Sequence, residues 1–141
     1  MTAKKISHVG IAVPDIEQFL GVFKDALGLK FSGIEEVPDQ QVRVAFLDLG
    51  ESRIELLEPL SPDGPVGKFL AKNDGKPKFH HLAIEVDDVA AALARAKAAG
   101  VELIDDEPRC GAGGAKIAFL HPKSSAGVLT ELCEHGTDHH K

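Results

Sequence analysis

The chain has 141 residues with 43% hydrophobic and 27% charged content, which is ordinary for a globular protein with a real core. Its net charge of −6 and pI near 5.6 disfavour nucleic acid and anionic membranes as partners, because both attract basic surfaces. No apolar run approaches the roughly 20 residues of a membrane span, no signal-peptide pattern is visible, and Cys110 and Cys133 form no CxxC pair. These features predict a cytoplasmic protein with free thiols.

The first predicted strand alternates with a period of two residues. Val9, Ile11 and Val13 share one face, while His8 lies on the other face with small residues. This alternation predicts a strand with one apolar face and one face that carries a histidine.

A helix and two further strands follow in the first half. Asp15 is placed as the helix N-cap, and Gly28 follows the last residue of the apolar stripe. Strand-like runs at 41–49 and 53–57 flank a turn. The proline-rich residues 59–78 then predict a connector that contains a short helix over 66–72.

The second half repeats this order from residue 79. Asp88 is the predicted N-cap of its helix, and Gly100 ends it. Three strand-like runs follow, at Glu102–Ile104, Lys116–Leu120 and Val128–Cys133. Residues 135–141 form a polar tail that is expected to fray.

The two halves align as an internal repeat. His81 follows His8 by 73 residues, and Glu131 follows Glu55 by 76 residues, with the difference absorbed by a longer hairpin turn. The repeat predicts one α+β domain over residues 1–141, built from two βαβββ modules at about 5–58 and 79–134. Their polar faces are expected to form a cleft in a curved mixed sheet.

Four residues at repeat-equivalent positions are candidate metal ligands: His8, Glu55, His81 and Glu131. A single strand histidine is more often a packed or surface residue, but a core gains nothing from four polar groups on one face. Two imidazoles and two carboxylates suit Co²⁺, Ni²⁺, Zn²⁺, Mn²⁺ or Fe²⁺ better than Ca²⁺. His80 is the rival to His81, but alternation directs it to the opposite face.

Two other features are left open by the sequence. The glycine-rich run 111–114 fits a turn better than a phosphate loop, because no strand–helix dinucleotide pattern surrounds it. A group of lysines near the connector fits a solvated face, or else a clamp for an anionic group. These lysines are Lys68, Lys72, Lys76 and Lys78.

The paired modules and several stretches resemble the vicinal oxygen chelate superfamily of glyoxalases, bleomycin resistance proteins and dioxygenases. The stretches SHVGIAVPDIE, HHLAIEVDDV and DEPRCGAGGAKIAFLHPKSSAGVLTELCE are similar, within it, to the methylmalonyl-CoA epimerase family. The resemblance implies a single divalent ion, Co²⁺ first with Zn²⁺, Ni²⁺ or Mn²⁺ as alternatives, on the four candidate ligands. It also implies a homodimer and a small-molecule acyl-CoA substrate.

The resemblance further implies epimerisation of methylmalonyl-CoA between its R and S forms. A base removes the α-proton, and the metal stabilises the resulting enolate. We expect Glu131 and Glu55 to act as the two bases on opposite sides of the planar intermediate. Some family members carry a glutamate where this chain has Val44, next to Arg43, so the identity of one base departs from that pattern.

Two alternatives share the fold. One is a glyoxalase I-type lactoylglutathione lyase, which is also metal-dependent. The other is a metal-free small-molecule binding or drug-resistance protein, which needs a cleft and no four-ligand set.

Overall fold

The computed structural model describes residues 3–135, which divide into two compact units. The first unit comprises residues 8–80, and the second comprises residues 3–7 with 81–135. Each unit corresponds to one predicted module except at its edges. The first unit also includes the predicted connector and residues 79–80, and residues 5–7 of the first module fall in the second unit. The single-domain organisation stays a prediction.

The first unit has four strands and two helices. Its strand order is β2-β3-β4-β1, with β1 parallel to β4 and the neighbouring pairs antiparallel. The elements are β1 (Ala3–Ala12), α1 (Ile16–Leu20), β2 (Lys30–Val37), β3 (Val42–Leu49), β4 (Ser52–Pro59) and α2 (Pro65–Lys72).

The second unit repeats this arrangement with strand order β5-β8-β7-β6. Here β5 is parallel to β8, and the other pairs are antiparallel. The elements are β5 (Lys78–Val86), α3 (Val89–Ala98), β6 (Arg109–Cys110), β7 (Lys116–Leu120) and β8 (Thr130–Glu134). The predicted α+β class with paired βαβββ modules is confirmed.

One sheet face in each unit packs against its helix. In the first unit this apolar core contains Val13, Ile16, Ala45, Leu47 and Leu56. In the second unit it contains Val86, Val89, Ala92, Leu93, Ala118 and Leu132. Because side chains alternate along a strand, the residues between these core positions lie on the opposite face.

Two acidic residues bind the first turn of α1, and two bind the first turn of α3. The predicted N-caps Asp15 and Asp88 each accept a hydrogen bond from a first-turn N–H at 3.1 Å. Glu58 Oε1 accepts from the first N–H of α1 at 2.9 Å, and Glu134 Oε1 accepts from the first N–H of α3 at 3.0 Å. The last strand of each module therefore holds the start of its helix, at a glutamate three residues after Glu55 or Glu131.

The prediction of a strand over Glu102–Ile104 is wrong. Only Leu103 forms an isolated bridge, to Leu120. The backbone N–H groups of Ile104 and Asp105 both donate to the carbonyl of Phe119, and the Asp105 carboxylate accepts from the Phe119 N–H at 2.8 Å. A side chain thus takes the hydrogen bond that would continue a strand ladder.

The first helix also departs from a uniform α-helix up to Gly28. It is α-helical only over Ile16–Leu20 and then widens into a π-helical segment over Gly21–Ala26. The change begins at Gly21, a residue type that weakens α-helices.

The predicted polar tail lies outside the described residues from position 136 onward. Within residues 3–135, no helix combines the length and the apolar character that a membrane crossing requires.

Candidate metal centre

The first unit brings His8 and Glu55 together. Parallel pairing of β1 with β4 sets Gly10 opposite Glu55, so His8 lies two residues before the partner of Glu55 on the same face. Their side chains meet with His8 Nδ1 3.4 Å from Glu55 Oε2. The residues are only 4% and 3% exposed. This pair is the first half-site.

The second unit repeats the pairing with His81 and Glu131. Parallel pairing of β5 with β8 sets Ala83 opposite Glu131, so His81 again lies two residues before that partner. His81 Nε2 is 3.1 Å from Glu131 Oε1, and both residues are buried. This pair is the second half-site, and its register matches that of the first.

The donor set fits a divalent metal ion. Burial of four polar groups is costly unless they are paired or bind an ion, and each half-site pairs an imidazole with a carboxylate. His8, His81 and Glu131 form a buried group that could hold a metal ion. Mixed imidazole and carboxylate ligands are typical of first-row divalent metals. Glu55 is not in that group, and the set of four metal ligands stays a prediction.

An arginine contacts the carboxylate of the first half-site. Arg53 donates from Nε to Glu55 Oε2 at 2.8 Å, and its guanidinium carbon lies 5.0 Å from the centre of the Phe46 ring. Phe46 is the direct cross-strand neighbour of Glu55. The cation offsets the charge of a buried carboxylate.

The second half-site has a similar phenylalanine and a differently placed arginine. Phe119 is the cross-strand neighbour of Glu131, and its ring meets that of His81 edge to face at 5.8 Å. Arg109 lies over this ring at 5.4 Å, but it pairs with Asp105 at 3.4 Å. The two half-sites therefore share an imidazole and a carboxylate and differ in what their arginines contact.

Val44 supplies no group for proton transfer. It is a buried apolar residue, 2% exposed, and it lies on the strand face that also carries Phe46. The adjacent Arg43 donates to Glu58 at 3.0 Å and lies 3.9 Å from Glu17. The hydrogen bond from Arg43 to Glu58 raises the pKa of the guanidinium above its usual value, so Arg43 stays cationic.

Two other histidines, His80 and His121, make structural contacts. His80 packs edge to face on Phe69 at 4.7 Å, which favours His81 as the ligand. His121 Nδ1 accepts from the N–H of Lys123 at 3.0 Å, a contact within one turn. The lysine group of the connector is exposed, and its role as an anion clamp stays a prediction.

Sequence reasoning missed Arg53 and the two phenylalanines beside the carboxylates. Arg53 lies two residues before Glu55 on one strand, so the period-two rule already placed it on the same face. That spacing was the available signal. The two phenylalanines follow only from the strand register, which the sequence did not give.

The family model described as Glyoxalase/Bleomycin resistance protein/Dioxygenase superfamily matches residues 7–119. The mitochondrial methylmalonyl-CoA epimerase of Mus musculus is 41% identical over 128 residues, covering 91% of this chain and 71% of the relative. The ethylmalonyl-CoA/methylmalonyl-CoA epimerase of Cereibacter sphaeroides is 40% identical, with coverage of 91% and 96%. These matches confirm the resemblance that the sequence motifs indicated.

A solved structure extends the similarity to the fold. A methylmalonyl-CoA epimerase in complex with methylmalonyl-CoA and NH4+ superposes with a TM-score of 0.88 at 39% identity. The match covers 96% of this chain and 97% of that one.

Proposed function

Because the chain belongs to the glyoxalase/bleomycin resistance protein/dioxygenase superfamily, we propose that it is a metal-dependent epimerase of methylmalonyl-CoA. The observation that carries the proposal is the pair of matched, buried half-sites, His8 with Glu55 and His81 with Glu131. Several relatives and one superposable solved structure are methylmalonyl-CoA epimerases, which supports methylmalonyl-CoA as the substrate.

We assign all four half-site residues to one divalent ion. By family resemblance we assign Co²⁺ as the first choice of metal, with Zn²⁺, Ni²⁺ or Mn²⁺ as alternatives. When bound, such an ion supplies Lewis-acid stabilisation of negative charge that develops on a carbonyl oxygen. The two imidazoles would bind the ion as neutral donors, and the carboxylate that is ionised would offset part of its charge.

Proton transfer is assigned to the two carboxylates. In one direction, an oxygen of Glu131 accepts the proton from the α-carbon between thioester and carboxylate. A protonated Glu55 then delivers a proton to the opposite face of that carbon, and the roles reverse in the other direction. Glu55 and Glu131 are 3% and 5% exposed, so both work in a site largely shielded from bulk water.

Val44 narrows the choice of the second base. A buried valine cannot carry a proton, so the glutamate that some family members have at this position is not available. Glu55, on the neighbouring strand and the same face, is the carboxylate that we assign to this role.

The direct test is stereochemical. Metal-loaded protein is incubated with one stereoisomer of methylmalonyl-CoA, and the R and S fractions are followed with time. We expect an equal mixture at equilibrium, and a retained single isomer would refute the proposal. Turnover of a glutathione hemithioacetal in a parallel reaction would support a glyoxalase I-type lyase, and absence of metal after metal loading and dialysis would support a binding protein.

We also propose a cytoplasmic homodimer. Cys110 and Cys133 form no CxxC pair in the sequence, which fits a reducing compartment, and the dimer follows the family resemblance. Light scattering on the purified protein tests the assembly, and cell fractionation tests the location.

A further inference from the structure

Arg53 is the cation of the first half-site, and its side chain is held at two points. Its Nε donates to Glu55 Oε2 at 2.8 Å, and its guanidinium plane lies over Phe46. The side chain is 16% exposed. Arg53 is thus a largely buried cation that touches a candidate ligand and still reaches solvent.

The contacts of Arg53 use only part of its hydrogen-bonding capacity. Within residues 3–135, its one hydrogen bond is the bond from Nε to Glu55. A guanidinium has five N–H donors, of which the four on the two terminal nitrogens form a planar fork. Arg43 differs, because its terminal nitrogens already lie near Glu58 and Glu17.

We propose that Arg53 binds the free carboxylate of the acyl group and selects malonyl-type thioesters over simple acyl-CoA thioesters. This inference rests on the proposed function. The carboxylate is the group that distinguishes methylmalonyl-CoA from propionyl-CoA, and arginine is the side chain that recognises a carboxylate through two parallel hydrogen bonds.

The two contacts that fix the Arg53 side chain make it suited to binding a carboxylate. A flexible arginine normally loses side-chain entropy when it binds a ligand. Glu55 and Phe46 already fix the orientation of Arg53, so this loss is smaller here. When ionised, Glu55 also offsets the charge of Arg53, which lowers the cost of keeping this cation buried. The ordered fork is therefore available at the face that carries His8 and Glu55.

Arg109 offers a matched control. It lies over Phe119 as Arg53 lies over Phe46, but it is 45% exposed and pairs with Asp105. A variant at Arg109 removes the same charge next to the repeat-equivalent phenylalanine and leaves Glu55 untouched.

The test compares malonyl-CoA with propionyl-CoA, which lacks the free carboxylate. Binding of each to the metal-loaded protein is measured by calorimetry for wild type, Arg53→Gln, Arg53→Lys and Arg109→Gln. We expect wild type to prefer malonyl-CoA by about 10- to 100-fold, the scale of a charge-assisted hydrogen-bonding pair. Arg53→Gln should lose that preference with propionyl-CoA binding unchanged, and Arg109→Gln should keep it.

Arg53→Lys keeps the charge and loses the fork, so its preference should be intermediate. Melting temperature and metal content identify a variant that fails to fold or to load, in which case the lysine variant decides. The inference is overturned if wild type shows no preference, if the folded Arg53 variants retain the full preference, or if they lose affinity for both thioesters equally. Failure of the proposed function appears separately, as wild type that binds malonyl-CoA selectively and does not epimerise methylmalonyl-CoA.

Discussion

The two half-sites contain the same residue types in the same register, but their surroundings differ. In the first, Arg53 donates directly to Glu55, whereas in the second, Arg109 is drawn to Asp105. Duplication thus explains the shared imidazole and carboxylate, and the arginine contacts explain how equivalent residues can take different roles.

The largest difference between the half-sites should appear on replacement of Glu131. Glu131→Gln keeps the size of the side chain and removes the base, so turnover should fall by about 10²- to 10⁴-fold while metal remains bound. Steady-state epimerisation and metal analysis measure the two effects. Glu134→Gln, three residues later on β8, is the control. Full activity in Glu131→Gln would remove Glu131 from the base role.

Replacement of Glu55 should distinguish proton transfer on one face of the α-carbon from proton transfer on the other. Glu55→Gln removes one proton carrier, so epimerisation should fall by about 10²-fold or more. The stereoisomer served by Glu131 should still exchange its α-proton, because that carboxylate is intact. Mass spectrometry of each stereoisomer in D₂O checks this. Equal loss of exchange for both isomers would show that Glu55 does not act on one face alone.

The histidines test whether both half-sites hold the metal. His8→Ala and His81→Ala should each weaken metal binding by at least the roughly 10- to 100-fold typical of losing a supporting contact. Metal content after dialysis and titration with Co²⁺ give the affinities. His80→Ala serves as the control, since His80 packs on Phe69. An unchanged affinity in either ligand variant would reject that histidine as a ligand.

The smallest expected effects concern the glutamates that hold the helices. Glu58→Ala and Glu134→Ala each remove a hydrogen bond to a helix N-terminus, so the free energy of unfolding should fall by about 1 kcal/mol. Glu58→Ala should cost slightly more, because it also releases Arg43. Urea denaturation measures both values. Greater stability in either variant would contradict this assignment.

Much of the site was predictable because it repeats. Alternation gave the faces of His8 and Glu55, and the internal repeat carried both assignments to His81 and Glu131. The contact of Arg53 with Glu55 was not predicted, because strand period shows a shared face and does not show which partner a long side chain selects.

The fold was predictable to a similar extent. The N-caps Asp15 and Asp88 followed from local sequence. The long-range hydrogen bonds that Glu58 and Glu134 accept depend on how β4 and β8 end beside the helices. The strand prediction at Glu102–Ile104 was wrong for a related reason. The Asp105 carboxylate accepts the Phe119 N–H that a neighbouring strand would otherwise bind, and the apolar pattern of the sequence does not show this contact.

The most direct test of the account is exchange of the α-proton of methylmalonyl-CoA in D₂O, followed by mass spectrometry with and without a chelator. We predict that the metal-loaded protein incorporates deuterium, that metal removal abolishes incorporation, and that added Co²⁺ restores it. Absence of exchange in the loaded protein, or undiminished exchange after complete metal removal, would contradict a metal-dependent proton transfer at these two half-sites.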